Sequence, residues 1–150
     1  MLTKNGPKVV EYNCRFGDPE TQVVLPLLKS DLLTIMQATT NGTLAQTEVR
    51  FSEKYACCVV KASKGYPVSY KKGFPLTMTP EAAAHTYIAG AREKDGVLVT
   101  AGGRVAGVTA AAETLPEAVR EAYRLAEGVR FANRYCRKDI GAKALKAWED

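Results

Sequence analysis

Glu11, Asn13 and Arg15 occupy alternate positions in the run Val9-Val10-Glu11-Tyr12-Asn13-Cys14-Arg15-Phe16-Gly17-Asp18. In an extended chain, side chains alternate between two faces, so these three share one face and Val10, Tyr12 and Cys14 share the other. A carboxylate and an amide carbonyl are hard oxygen donors of the kind Mg²⁺ takes from protein, one or two at a time, with water and phosphate completing its shell. A guanidinium two residues on can hold a phosphate or carboxylate oxygen through paired N–H groups. Together these groups suit phosphoryl transfer. The same spacing also fits a solvated strand face, and Arg15 has a structural alternative in an ion pair with Asp18 or Glu20.

The elements that must position these groups read as follows. Met1 to Thr3 is the tail of a strand, Lys4-Asn5-Gly6-Pro7 a turn, and Lys8 to Cys14 a second strand. Asp18 as N-cap with Pro19 at the first helical position predicts a helix start, shortened or kinked at Pro26. A second helix starts at Ser30-Asp31 and ends at Asn41-Gly42. From Glu48 the pattern becomes strand-like, with Tyr55 to Ala62 a buried strand. Thr79-Pro80 opens a short helix, Tyr87 to Ala89 is a short strand, and Asp95-Gly96 is a hairpin turn. Val97 to Thr100 and Arg104 to Thr109 are strands around Ala101-Gly102-Gly103. Thr114 and Glu117 form a capping box for a helix reaching about Phe131, with Leu115, Ala118, Val119, Ala122, Leu125 and Ala126 on its apolar face. A short helix from Ala142 to Trp148 closes the chain. The expected fold class is α+β, in two parts: residues 1–45, the end of one domain, and 46–150, a small α+β domain.

At 150 residues and 46% hydrophobic, the chain can bury a core, which excludes disorder. No apolar run is long enough to cross a bilayer, and the N-terminus lacks the apolar stretch of a secretion signal, so a cytoplasmic location is expected. Four cysteines with no CxxC, and a single His85 with no Cys near it, argue against zinc and for reduced, buried thiols. The charge of +5 fits phosphorylated substrates or nucleic acid. The basic residues of the C-terminal region are interleaved with Glu117, Glu121, Glu127 and Asp139, which favours a solvated helix face over a nucleic-acid surface. His85 reads as a helix-surface residue, Arg104 as a partner in a fold-supporting salt bridge beside a glycine turn or bulge, and Tyr66 and Tyr70 as cover for the core edge.

The stretch from Glu11 to Gln22, with Leu2 to Val9, Leu25 to Leu32, Ala62-Ser63-Lys64-Gly65-Tyr66-Pro67, Gly102-Gly103-Arg104-Val105 and Arg137-Lys138-Asp139-Ile140-Gly141, resembles the C-terminal part of the phosphoribosylamine–glycine ligases, ATP-grasp enzymes of purine biosynthesis. The resemblance runs nearly end to end. It implies the C-terminal edge of an ATP-grasp domain followed by a small mixed sheet-and-helix domain. It further implies Glu11 and Asn13 as Mg²⁺ or Mn²⁺ ligands, and ATP, glycine and 5-phosphoribosylamine as substrates joined through an acyl phosphate. On this reading Arg15 steadies the transferring group, and Asp18 orients glycine or the amine. In animals this ligase resembles the first third of a trifunctional purine enzyme, so the resemblance also admits a longer parent.

The chain departs from that family at Ile88-Ala89-Gly90-Ala91, where relatives carry His-Ala-Gly-Thr, at Val68 in place of a Gly, and at Cys136 in place of a Tyr. No lysine pair for ATP phosphates and no P-loop is identifiable. The N-terminal domain, the nucleotide lid and most of the ATP-grasp sheet have no counterpart in it. The expectation is therefore a portion of a longer ligase, inactive alone. The alternative is a non-catalytic binding or interaction module that keeps the ligase fold.

Overall fold

The computed structural model describes residues 1–149. The chain opens with a small antiparallel hairpin, β1 (Leu2–Thr3) and β2 (Gly6–Pro7), turned at Lys4-Asn5 and completed by Gly6 at φ +85°. Two hydrogen bonds between Met1 and Lys8 end this ladder, Lys8 N donating to Met1 O at 2.9 Å and the Met1 ammonium to Lys8 O at 2.7 Å. The strand expected over Lys8 to Cys14 is not formed: the segment is irregular and exposed, and among the described residues no strand lies beside it. A strand exists only through a hydrogen-bonded neighbour, and β-forming residues such as Val9, Val10 and Tyr12 cannot substitute for one.

A turn over Asp18–Glu20 leads into α1 (Thr21–Val24), which passes directly into a 3₁₀ turn over Leu25–Leu27 where Pro26 interrupts the apolar run. Asp18 is not the N-cap and Pro19 is not the first helical residue. The N-cap is Glu20, whose side chain makes no capping bond, because Asp18 is committed elsewhere. α2 (Leu32–Asn41) follows the expected rules. The Asp31 carboxylate accepts from Thr34 N at 2.7 Å, and Gly42 ends the helix at φ +72°.

The remaining elements build one packed layer of sheet against one long helix. They are β3 (Tyr55–Ser63), β4 (Thr77–Met78), α3 (Pro80–Ala84), β5 (Thr86–Ile88), β6 (Ala91–Lys94), β7 (Val97–Thr100), β8 (Arg104–Ala112), α4 (Leu115–Ala126), β9 (Val129–Arg130), β10 (Arg134–Tyr135) and α5 (Ala142–Glu149). The main sheet is antiparallel in the order β10-β3-β8-β5, with β6-β7 and β4-β9 as satellite hairpin and ladder. α4 lies across β3 and β8. Its small residues Ala118, Ala122 and Ala126 let the helix approach closely, and with Val119 and Leu125 they meet Val59, Val105, Val108 and Ala110 in the core.

Thr114 caps α4 through its hydroxyl, which accepts from Glu117 N. The helix stops at Ala126 rather than near Phe131. Gly128 fits where a Cβ would meet Thr79 and Ala82, and the chain then turns into β9. α1 packs on the opposite face of the sheet, against β3 and β8, so the two adjacent cysteines divide between layers. Cys57 joins the α4 core, while Cys58 faces Gly107 near the Gln22 side chain. Cys14, expected to be buried, is exposed on the irregular segment.

Candidate functional site

Glu11, Asn13 and Arg15 are all exposed, and none has a hydrogen-bond or ion-pair partner among the described residues. The structural alternative for Arg15, an ion pair with Asp18 or Glu20, is absent. From Val9 to Phe16 no backbone group is hydrogen-bonded among the described residues; the stretch runs from the Met1–Lys8 closure to the Gly17–Asp18 turn. Apolar side chains on it are exposed as well, Tyr12 at 82%.

The downstream fixed point is well built. Gly17 is buried, and its carbonyl accepts from both the backbone N–H and the hydroxyl of Thr21. A Cβ on Gly17 would meet the Glu20 carboxylate, 2.5 Å from its carbon. Arg104, at the start of β8, reaches this turn from the other part of the chain. Its Nη1 donates to the Asp18 backbone oxygen at 2.9 Å, and its Nη2 pairs with Asp18 Oδ2 at 3.2 Å. Gln22 Nε2 donates to the other carboxylate oxygen at 2.9 Å, and the Gln22 backbone oxygen accepts from the Thr109 hydroxyl at 2.8 Å. Asp18, expected to act on substrate or to cap a helix, is thus held by three contacts to two side chains. Arg104 makes the structural salt bridge expected of it.

Both partners are 41% exposed, so the ion pair itself contributes about 0.2–1 kcal/mol. Its main consequence is geometric, because a planar guanidinium that grips a carbonyl and a carboxylate together fixes direction as well as distance.

Two clefts flank this contact. One, of about 470 Å³, is lined by Phe16, Gly17, Asp18, Gln22, Tyr87 and Ile88. The other, of about 530 Å³, includes Pro19, Cys58, Tyr66 and Arg104. Ile88, the position where the family resemblance leads one to expect a histidine, therefore shares a cleft with Asp18. An apolar side chain stands there in place of an imidazole.

Burial sets the thiol chemistry nearby. Desolvation, with Cys58 adjacent, pushes the Cys57 thiol up to about 11. Cys58 is raised too, mainly by burial and partly offset by the Thr109 hydroxyl. Both are poor nucleophiles at neutral pH. His85 is an exposed C-cap of α3. Tyr66 packs edge-on against Tyr70, with ring centroids 5.9 Å apart, and covers Gly103.

The oxygen donors of Glu11 and Asn13 suit a divalent cation held chiefly by nucleotide phosphates and water. Both are unpaired and open, and no group of three or more His, Cys, Asp or Glu side chains gathers into a self-sufficient metal cage among the described residues.

Residues 56–143 match the family model described as phosphoribosylglycinamide synthetase, C domain, and residues 1–21 match that enzyme's ATP-grasp (A) domain. The chain therefore belongs to the phosphoribosylglycinamide synthetase family. A phosphoribosylamine–glycine ligase from Caldanaerobacter subterraneus is 52% identical over 143 residues, spanning 95% of this chain and 34% of the relative. The human trifunctional purine biosynthetic protein adenosine-3 is 50% identical over 149 residues, 97% of this chain and 15% of that protein. The crystal structure of the Thermotoga maritima phosphoribosylamine–glycine ligase superposes with a TM-score of 0.73 at 38% identity, over 93% of this chain and 35% of that one. The chain thus spans about a third of the length of the single-function ligases it matches. The α+β architecture expected from the sequence agrees with this neighbour.

Reasoning from the sequence placed Arg104 in a salt bridge but missed that its partner is Asp18 and that Gln22 holds the same carboxylate. The paired glycines before Arg104 marked an unusual backbone, but nothing in the sequence pointed across 86 residues to Asp18.

Proposed function

We propose that this chain supplies the C-terminal portion of an ATP-dependent ligase that joins glycine to 5-phosphoribosylamine, releasing ADP and phosphate by way of glycyl phosphate. The observation that carries this reading is the state of Glu11 and Asn13. Both are open and without a partner among the described residues, in a segment within the match to the ATP-grasp domain. The family matches over 1–21 and 56–143 support a division in which residues 1–45 complete an ATP-grasp domain and 46–150 form the small C-terminal domain.

Glu11 and Asn13 would hold Mg²⁺ or Mn²⁺, which when bound neutralises phosphate charge during transfer. Arg15, without a carboxylate partner among the described residues, is available to bind the oxygens of the transferring phosphoryl group or the acyl phosphate. Asp18 is engaged by Arg104 and Gln22, so its contribution is to hold the turn that ends the segment rather than to contact substrate. Binding and orientation, more than proton transfer, are what these side chains provide. In the described residues no helix is long and apolar enough to cross a membrane.

The test is ADP release with glycine and phosphoribosylamine, measured on this chain alone and on this chain combined with the separately produced upstream portion of a matching bacterial ligase. The proposal expects no activity alone and glycine-dependent release on combination. Release in neither case, with the two parts shown to associate, would support a non-catalytic module instead. Because most ligands come from nucleotide and water, the isolated chain should bind Mg²⁺ weakly. A stoichiometric micromolar site by calorimetry would contradict the assignment.

A further inference from the structure

We propose that Lys61, Arg134 and Lys138 form a binding site for a dianionic phosphate group, free or carried by a small monoester, in the cleft between the end of α4 and β10. The cleft has a volume of about 480 Å³ and is also bordered by Glu127, Tyr135 and Asp139. That size falls in the range of small-molecule sites. Every residue named lies within 56–143, the span matched to the C domain. The inference goes beyond the ligase reading and does not depend on it.

The site is built around Lys61. On β3, Cys57, Val59 and Lys61 share the face toward α4, and the first two join the core. Lys61 ends that apolar row with 2% of its surface exposed, beside the bulge where β3 and β8 change register. This chain alone encloses it. Its side chain has no hydrogen bond or ion pair among the described residues, and neither Glu127 nor Asp139 pairs with it. A lysine charge withdrawn from water needs an anion or hydrogen-bond acceptors. Lys61 lines the cleft, and a long stem buried in the sheet face delivers its charged head there.

The rest of the lining adds matching charge on fixed backbone. Arg134 pairs with Ser63 in the β10–β3 ladder, and its Nη1 donates to the Phe131 backbone oxygen at 3.3 Å, with no carboxylate partner among the described residues. Lys138 has no ion pair among them either. The loop that carries Lys138 is tied down by Tyr123, whose hydroxyl donates to Arg137 O at 2.8 Å and accepts from Ile140 N at 3.0 Å. Asp139 is already matched, accepting from Arg137 Nε at 2.8 Å and Nη2 at 2.5 Å. Glu127 is then the one carboxylate of the lining left to oppose three cations. Three cations less one carboxylate leave two positive charges, which suits a doubly charged oxyanion.

Titration calorimetry on this chain at low ionic strength, with inorganic phosphate, ribose 5-phosphate and adenosine 5′-monophosphate, tests the site. Phosphate-bearing probes should bind one per chain with a submillimolar Kd, and adenosine should not bind. Equal affinity for all three phosphates assigns the bare phosphate group; tighter binding of ribose 5-phosphate or the nucleotide assigns the monoester, with the exposed Tyr135 ring beside it. Lys61→Met should weaken binding about tenfold or more, as loss of one charge-assisted contact does, without lowering the unfolding midpoint. Lys138→Gln, on the exposed loop, should weaken it less, and serves if Lys61→Met does not fold. Glu127→Gln separates the site from a plain Lys61–Glu127 ion pair: the site expects tighter phosphate binding, the ion pair a lowered midpoint and no gain. The reconstituted ligase, with the upstream portion added, should bind phosphate as this chain does. No binding of any phosphate probe, undiminished affinity in folded Lys61→Met or Lys138→Gln, or loss of binding once the upstream portion is added overturns the proposal.

Discussion

The Thr109 hydroxyl donates to the backbone oxygen of Gln22 at 2.8 Å, joining two residues 87 positions apart. Through this bond and the Arg104–Asp18 grip, α1 is attached to the face of the sheet opposite α4. The sheet therefore has two jobs: its α4 face supplies the core, and its other face carries the turn that ends the exposed Glu11–Arg15 segment.

Gly90 and Gly102 touch backbone to backbone, and Gly90 N donates to Arg104 O at 2.8 Å, which predicts a large response to a single methyl group. Gly90→Ala would place a Cβ 2.5 Å from Arg104 O and 2.8 Å from Gly102 Cα, both backbone atoms that cannot move independently. Overpacking of this kind costs about 1–3 kcal/mol. Urea denaturation of Gly90→Ala should show the midpoint fall with the slope unchanged. Gly73→Ala makes a useful contrast: its Cβ would meet nothing, so only its positive φ of +86° should cost stability.

How far the sequence could be read depended on whether an element was specified locally. α2 and α4 carried their own caps in Asp31 and Thr114, and the Asp95-Gly96 turn carried its own chemistry, with both residues at positive φ. The Lys8 to Cys14 strand failed because strand identity depends on a neighbour, which the residues of the strand do not encode. Asp18 was misplaced as a cap because a local rule lost to a distant partner, Arg104. The C-terminal end of α4 was overrun because Val129 and Phe131 continue an apolar pattern, although Gly128 had already turned the chain into β9. The oxygen donors Glu11 and Asn13 were legible from residue type; that they are free of rival partners was not.

Thiol accessibility gives a second prediction. Alkylation with iodoacetamide at pH 8, followed by peptide mass spectrometry, should label exposed Cys14 first. Cys57, buried and with its thiol raised to about 11, should remain unmodified until the protein is unfolded, and Cys58 should behave alike. Early labelling of Cys57 would mean that the sheet and α4 separate readily.

A third prediction concerns acid. Arg124 bridges Glu81 of α3 and Glu121 of α4, with Nη2 at 2.5 Å and 2.7 Å from the two carboxylates. Hydrogen bonds from that guanidinium hold both glutamates below the ordinary value of 4.5. Groups depressed in the folded state add stability that is present above their unfolded pKa and is lost as pH falls through the folded one. Stability should therefore decline as pH drops below about 4.5, and Arg124→Met should shallow that decline. Because all three groups are exposed, added salt should also reduce the difference between wild type and variant. Identical acid profiles at low ionic strength would remove the bridge from the account.

The measurement closest to the central claim is the Mg²⁺ dependence of glycine-driven ADP release in the reconstituted ligase, compared between wild type and Glu11→Gln. Glu11 is exposed and has no partner among the described residues, so Glu11→Gln should leave the unfolding midpoint nearly unchanged. Turnover should fall by about a hundredfold or more, with recovery only at much higher Mg²⁺. Wild-type turnover and an unaltered metal requirement in Glu11→Gln would contradict the account.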